Sequence, residues 1–371
     1  MKKTIQVLSF FVAATASAET YTPEEFGAVP NDNVDDQAAL QAALSALQPG
    51  DILQFWPGTY LHSHQLFVTQ DDVSLEGRGA VLRATDWNNS ALTVQDTDGV
   101  IIRHLQLETT ASSRSRANRT NGIVVYNSSN FALLSNRVNG FSGAGIMVDH
   151  GSDFIVQGNL VHDTFADGIH VTNQSSNGDL LYNTTWDTGD DGLAVVGYVR
   201  QSGPNTDMLI GGNSVLNEPH ENLLGRPVWH GRGITVEGTI GAIIDNNYIQ
   251  NTASACVLVA SEGGDYNHYP TSDVGITRNT LVACNGVTTT VHGGLLISAR
   301  SVGPVTNVLV DSNAIIDTVG ATSHIRVSNW VTGIEIRNNF IIDADSSHTP
   351  WTFYQGSQVV QSGNTYNGVL K

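Results

Sequence analysis

Phe131-Ala-Leu-Leu-Ser-Asn136 and Phe154-Ile-Val-Gln-Gly-Asn159 are two copies of one short pattern, apolar residues at alternate positions followed by an asparagine. The pattern returns as Leu180-Leu-Tyr-Asn183, Met208-Leu-Ile-Gly-Gly-Asn213 and Ile243-Ile-Asp-Asn-Asn247. It continues as Val274-Gly-Ile-Thr-Arg-Asn279, Val308-Leu-Val-Asp-Ser-Asn313 and Ile334-Glu-Ile-Arg-Asn-Asn339. The asparagines step by 23, 24, 30, 34, 32, 34 and 26 residues. A period in this range belongs to a stacked repeat, in which each unit buries its apolar face against the next.

The alternation within each copy is that of a strand, not of a helix. A second strand motif keeps step with the first: Asn121-Gly-Ile-Val, Ala144-Gly-Ile-Met, Asp167-Gly-Ile-His, Asp191-Gly-Leu-Ala and Arg232-Gly-Ile-Thr, with a weaker copy at Gly293-Gly-Leu-Leu. One period with two or three short strands and polar turns is one coil of a parallel β-helix. The recurrent asparagine suits a tight turn, because its short side chain tolerates left-handed backbone and hydrogen-bonds locally. Stacked coils would line these asparagines into an amide ladder. The 37 glycines fit the same turn-rich reading.

The N-terminus reads as a secretory signal. Lys2 and Lys3 precede a mostly apolar run from Ile5 to Thr15, and Ala16-Ser17-Ala18 supplies the small residues of a cleavage site. A signal over 1–18 is therefore expected, with a secreted or periplasmic location. Residues 19–371 are expected to form a single domain: an N-terminal cap over 19–61, coils over 62–345 and a C-terminal cap over 346–371. No later stretch is apolar enough to span a membrane. The formal net charge of −18 argues against nucleic acid as a partner. A monomer is expected. The only lysines are Lys2, Lys3 and Lys371, so any basic catalyst or anion clamp must be Arg or His. Cys256 and Cys284 lie 28 residues apart, about one coil, so a bond between neighbouring coils and two separate buried thiols are both open readings.

Residues 21–61 depart from the repeat. Phe26-Gly-Ala leads into the acidic stretch Asn31-Asp-Asn-Val-Asp-Asp36, then an Ala-rich amphipathic helix over 37–47. Acidic residues at a helix start favour it. Pro49-Gly50 ends the helix, and a strand and Pro57-Gly-Thr-Tyr60 follow. This order resembles the start of the pectate-lyase-like right-handed parallel β-helix superfamily. The resemblance implies an all-β solenoid of about ten coils, with the N-terminal helix covering an otherwise exposed sheet edge, and a polysaccharide partner, with an anionic one in view.

Stacked coils bring equivalent positions within about 4.8 Å of each other. In the column before the repeated glycine, the series Asn121, Ala144, Asp167, Asp191, Arg232 places two carboxylates in adjacent coils, with Asp190 beside them. Like charges this close push one pKa upward, and a carboxylate pair held in two protonation states is what glycoside hydrolysis needs. The runs Phe165-Ala-Asp167-Gly-Ile169 and Thr188-Gly-Asp190-Asp191-Gly-Leu193 resemble the Asn-Thr-Asp and Gly-Asp-Asp motifs of glycoside hydrolase family 28, the polygalacturonase group. That resemblance implies Asp190 as general acid, with Asp167 and Asp191 at the attacking water and inversion as the outcome. Where the family has Gly-His-Gly, this chain has Trp229-His230-Gly231-Arg232-Gly233, so His230 joins the catalytic candidates and Arg232 and Trp229 the substrate-binding ones. The family's basic Arg-Ile-Lys has no counterpart in the next coil, Ala255 to Ala260.

Gly145-Ile-Met-Val-Asp149-His150 and Val161-His-Asp-Thr-Phe-Ala-Asp167 are similar to motifs of alginate C5-epimerase modules. This resemblance implies abstraction of a proton from a uronate, and makes Asp149, His150 and His170 substrate-site candidates. Arg114, Arg116 and Arg119 form a basic cluster suited to a uronate or sulfate. Trp186, Tyr198 and Trp229 are candidates to stack on sugar rings. No cofactor is expected, although Ca²⁺ would suit the aspartates. The alternatives to a hydrolase are a uronate lyase or epimerase and a non-catalytic carbohydrate-binding β-helix.

Overall fold

The computed structural model describes residues 18–114, 120–200, 202–217, 231–263, 267–286, 292–299 and 303–371. Its strands form one sheet of 23 and one of 13, wound as a solenoid. Neighbouring strands are parallel except at the closing hairpin, Thr365–Tyr366 with Val369–Leu370. The architecture is the expected right-handed parallel β-helix.

Three inward columns fill the solenoid. Val125, Val148, Val171, Val195, Val236, Val259 and Ile297 stack in successive coils. Leu133, Val156, Leu180, Ile210, Ile244, Ile276, Val310 and Ile336 form a second column. Val138, Val161, Thr185, Val215, Ile249, Leu281, Ile315 and Ile341 form the third. Mostly β-branched residues suit the pleated surface, and the aliphatic ones are fully or almost fully withdrawn from water. Each such side chain contributes about 1.5–3 kcal/mol by burial.

The asparagines do form a ladder. Asn136, Asn159, Asn183, Asn213, Asn247, Asn279, Asn313, Asn339 and also Asn364 are all buried. Asn136 Oδ1 accepts from Leu105 N, and from Asn159 onward each Oδ1 accepts from the main-chain N–H and the Nδ2 of the asparagine one coil earlier, as at Asn213, which accepts from Asn183 N (2.8 Å) and Asn183 Nδ2 (3.1 Å). Asn213 in turn donates to Asn247 Oδ1 (2.9 Å) and to the Leu180 carbonyl (2.8 Å). The expected reason for the asparagine needs correction. The left-handed residue is the one before it: Ser135, Gly158, Tyr182, Gly212, Asn246, Arg278, Ser312, Asn338 and Gly363 all have positive φ. The turn is made by the preceding residue, whatever its type, and the asparagine is there to satisfy main-chain groups that the turn leaves inside the coil.

Strands of seven residues, Asn205–Gly211, Thr239–Asp245, Thr271–Thr277, Val305–Asp311 and Val331–Arg337, each end two residues before a ladder asparagine. Extra chain enters on either side of the next short strand, so unequal coil lengths leave this block in register.

The helix Gln37–Ala46 buries Leu40, Ala43 and Leu44 over the first coil. Asp36 is not its side-chain cap, because its Oδ1 accepts from Val29 N, while Asp35 Oδ1 accepts from Gln37 N. Gln41 sits along the edge of the strand Leu66–Val68, its Oε1 accepting from Phe67 N (2.9 Å) and its Nε2 donating to Phe67 O (3.1 Å). A side-chain amide thus stands in for the missing neighbouring strand. The coils also extend beyond the boundaries expected from sequence. Ile52–Gln54 and Thr59–His62 already pair with the next coil, and Thr349–Phe353, Val359–Ser362 and Thr365–Tyr366 still pair with the previous one. Pattern departures in the cap sequences concealed strands whose pairing is set by the neighbouring coil.

Cys256 and Cys284 are bonded, with Cα atoms 5.3 Å apart, and both are fully buried. Cys256 occupies the column of Gly168, Gly192 and Gly233, where an added Cβ would meet the facing wall of the coil at 2.8 Å or less.

Replacing Asn213 by Ala would leave the Asn183 N–H without a partner and remove the bonds from Asn183 Nδ2 and to the Leu180 carbonyl. We expect Asn213→Ala to lower unfolding stability by about 2–4 kcal/mol, read by chemical denaturation, whereas Gln157→Ala on the exposed strand surface should cost less than about 1 kcal/mol.

Candidate active site

The outward face of one strand column builds the site. Ile169 pairs with Leu193, and Leu193 with Ile234, so Asp167, Asp191 and Arg232 occupy one column in three successive coils. Each side chain ties to the next coil. Asp167 Oδ1 accepts from Asp191 N at 3.0 Å, and Asp191 Oδ1 accepts from Arg232 N at 3.0 Å. Asn121 does the same one coil pair earlier, accepting from Ala144 N at 2.7 Å. Ala144 and Arg232 supply no acceptor at the position before the glycine, but at Asn121, Asp167 and Asp191 the side chain gives an oxygen to the amide one coil onward. At Asp167 and Asp191 it is a carboxylate, which keeps a second oxygen for other work.

One oxygen of each of Asp167, Asp190 and Asp191 lies within 4.8 Å of the others. They line a cleft of about 320 Å³, together with His170, Arg114, Arg232, Tyr198, Arg200, Glu237, Glu262 and His268. Asp190 is the most accessible of the three aspartates, its side chain 21% exposed against 13% for Asp167 and 6% for Asp191. Arg114 reaches it from 76 residues away, Nη1 to Oδ2 at 2.8 Å. His170 Nδ1 lies 2.7 Å from Asp167 Oδ2.

The three carboxylates are electrostatically distinct. Burial pushes Asp191 up to about 7, with the charges of Asp190 and Asp167 adding to it and Arg232 opposing. Burial and the neighbouring Asp167 also raise Asp190, against the pull of Arg114. Asp167 goes the other way. Burial would raise it, but the hydrogen bond and charge of His170, the charge of Arg114 and the Asp191 N–H together hold it below the usual carboxylate range. His170 is raised despite burial, through its contact with Asp167 and the charges of Asp191 and Asp190. One ionised carboxylate therefore faces two that hold their protons more tightly.

A second acid stands beside them. Glu237 extends the outward column that runs Asp149, Thr172, Val196. Burial pushes it up to about 8, with Arg232 opposing. Its Oε2 is 3.2 Å from His268 Nδ1, and burial and then the charges of Arg232 and Arg200 lower His268 to about 4. Both groups favour their neutral forms, so this contact is not an ion pair. His268 Nδ1 also accepts from Glu262 N at 3.3 Å, which fixes that nitrogen as the acceptor. Sequence reasoning missed Glu237, Glu262, Arg200 and His268. Glu237 was within reach, since it lies in the column begun by Asp149. His268 enters on an excursion outside the repeat.

Of the residues singled out from sequence, Asp167, Asp190, Asp191, His170, Arg114, Arg232 and Tyr198 meet in this cleft. Asp149 and His150 do not line it. Asp149 is buried, and its Oδ1 is engaged by His150 Nδ1 (2.7 Å) and Asn173 Nδ2 (2.6 Å), so this carboxylate serves the fold of its own corner. Trp186 stacks on His162 at 4.0 Å between ring centres rather than facing the aspartates. Arg116, Arg119, Trp229 and His230 lie outside the described residues, as does residue 1–17 of the expected signal. Among the described residues no helix is long and apolar enough to cross a membrane.

Comparison with known proteins agrees with the geometry. A family model described as "right handed beta helix region" matches residues 69–215. The protein is a right-handed parallel β-helix. No curated protein sequence matches it. Among solved structures it is similar to a mannuronan C-5 epimerase A-module of Azotobacter vinelandii, at 15% identity and a TM-score of 0.63, covering 93% of this chain and 99% of that one. It is also similar to a hyperthermoactive exopolygalacturonase from Thermotoga maritima, at 12% identity and a TM-score of 0.67, covering 95% and 92%. A third is the catalytic unit of an α-1,3-glucanase from Streptomyces thermodiastaticus, at 16% identity and a TM-score of 0.64, covering 95% and 70%. Both families whose motifs the sequence resembles are thus among the structural neighbours, and all three neighbours are named for polysaccharide-active enzymes. At these identities the shared feature is the fold.

The pKa directions carry a stability consequence. Glu237 and Asp191 bind a proton more tightly folded than unfolded, where they titrate near about 4. Their contribution is complete below that value and is lost as pH rises through about 7 and about 8. His268 acts oppositely, but only below its unfolded value of about 6.5. Between pH 6.5 and 8.5 the melting temperature should therefore fall, and Glu237→Gln should flatten that fall, as measured by scanning calorimetry at fixed ionic strength.

Proposed function

We propose that this protein is a secreted or periplasmic glycoside hydrolase that cleaves a polysaccharide. The observation that carries the reading is the cluster of Asp167, Asp190 and Asp191 in adjacent coils, open to a cleft and split between tightly and weakly held protons. Hydrolysis of a glycosidic bond needs a proton for the leaving oxygen and a carboxylate to orient and deprotonate water. Asp190 is the general acid: it is the most exposed of the three, and burial and Asp167 favour its protonated form. Asp167, held ionised against His170, is the carboxylate at the water, and Asp191 supports both.

Elimination or epimerisation of a uronate is the second reading, favoured by the arginines Arg114, Arg200 and Arg232 around the cleft, which suit a carboxylate. Those reactions need a base that takes a carbon-bound proton. His170 is held protonated by Asp167, and burial and nearby carboxylates make Tyr198 reluctant to lose its proton. Lysine supplies none, since no lysine lines the cleft among the described residues. Asp167 is the one group held ionised among these, and it is better suited to water than to a carbon acid.

A panel of neutral and acidic polysaccharides, read for new reducing ends and for the ultraviolet absorbance of an unsaturated uronate, tests the reading. New ends without the absorbance are expected. Absorbance would establish a lyase, and a changed polymer without new ends an epimerase. Asp190→Asn should lower the rate by about 10²–10⁴-fold with the circular dichroism unchanged. Arg114→Gln removes a charge that lowers the Asp190 pKa, so the alkaline limb of its kcat–pH profile should move to higher pH. A limb that stays put would remove Asp190 from the acid role.

A further inference from the structure

Far along the solenoid from the cleft, three side chains converge that the proposed hydrolysis does not use. His324 lies on the strand Ser323–Val327, Asp343 follows the strand Phe340–Ile342, and His348 precedes the strand Thr349–Phe353. His324 is fully buried and Asp343 nearly so. One ligand atom from each lies within 4.8 Å of the others. We propose that His324, Asp343 and His348 form a site for a divalent transition metal, Zn²⁺ in particular, that fastens the last two coils together.

The position of His324 is informative. It stands in the column occupied by Gly168, Gly192, Gly233, the bonded Cys256 and Gly294, so its ring is carried inward at a coil corner where the earlier coils carry glycine or one small side chain. Such a ring needs partners for both nitrogens. Nδ1 lies 2.9 Å from Thr318 Oγ1. Nε2 has no hydrogen-bond partner, and Asp343 Oδ2 stands 3.6 Å away. That distance is too long for a hydrogen bond. It is close to the separation of about 3.3 Å between two ligands on a tetrahedral zinc with bonds of about 2.0–2.1 Å. The second histidine repeats the arrangement, with Nδ1 3.4 Å from Asp343 Oδ1.

The outer groups orient all three. His348 Nε2 is 3.2 Å from the Val319 carbonyl, which accepts only, so Nε2 carries the proton and Nδ1 keeps a lone pair. That Nδ1 also lies 2.8 Å from Ser347 Oγ, a hydroxyl at the surface that must turn away for a metal to enter. The Thr318 hydroxyl both donates and accepts, and in the tautomer in which His324 Nδ1 donates to it, Nε2 keeps a lone pair for a metal. Asp343 Oδ2 accepts from His348 N (2.9 Å) and lies 3.0 Å from the Tyr366 hydroxyl. Histidines whose far nitrogens are held by a carbonyl and a hydroxyl, around a hydrogen-bonded carboxylate, have the surroundings of metal ligands. Two imidazoles and one carboxylate suit zinc and not Ca²⁺ or Mg²⁺, which prefer oxygen throughout. Three protein ligands leave a fourth place for water.

The test uses the full chain, produced without a polyhistidine tag, stripped with a chelator and titrated with Zn²⁺ by calorimetry near neutral pH. One equivalent per chain and a rise in melting temperature of several degrees are expected. His348→Ala and Asp343→Asn should each weaken binding by tenfold or more. Asp190→Asn should leave the affinity unchanged, which places the metal here and not among the cleft aspartates. No saturable binding by the unaltered chain, or equal binding by His348→Ala, overturns the proposal. Should the variants misfold, Co²⁺ added to the unaltered chain decides. Strong visible bands of a four-coordinate ion with nitrogen ligands support the site, and the weak spectrum of a six-coordinate oxygen environment overturns it.

Discussion

Coil-to-coil registry is the constraint on which everything else in this molecule rests, and the buried asparagine column enforces it. Each rung satisfies the main-chain N–H of one coil with the side chain of the next, and a slip by one residue would break every rung at once. The apolar columns alone would not be so exacting, since neighbouring valines and isoleucines repack at small cost. The polar ladder specifies the structure, and the aliphatic columns supply most of its stability.

The candidate site is built by the same device. At the position before the repeated glycine, Asn121 presents an oxygen to the amide one coil onward, although Ala144 and Arg232 in the same column do not. Aspartate at 167 and 191 makes the same bond while bringing a carboxylate to the cleft. Structural and chemical duties are thus shared by the same side chains, with Oδ1 engaged in the ladder and the second oxygen facing His170 or Arg232. The crowding that raises Asp190 and Asp191 follows from coil spacing, which fixes how close the column members stand.

How much of this was legible in the sequence depended on whether a residue stayed in phase. The asparagine column, the aspartates and the one-coil spacing of the two cysteines could be read because their steps match the repeat. Arg114 meets Asp190 across 76 residues, and only its charge marked it beforehand. Glu237 lies in a readable column, but a step of 41 residues from Val196, against 23 and 24 for the preceding steps, made it easy to pass over. His268 comes from an excursion with no repeat of its own. The cluster of His324, Asp343 and His348 spans separations of 19 and 5 residues, neither of which is a coil. The turn chemistry was misassigned because asparagine is usual in left-handed turns, whereas here the ladder residue and the turn residue are neighbours with different tasks.

The seven-residue strand and its asparagine travel together as a block of constant length, while additional chain enters only beside the strands that frame the cleft. Length changes at those corners therefore reshape the walls of the groove without disturbing the scaffold beneath it. In such a molecule the floor of the groove and its rim are free to diversify separately. New binding preferences would be reached by exchanging corner loops, while the acidic groups below stay where the stacking puts them.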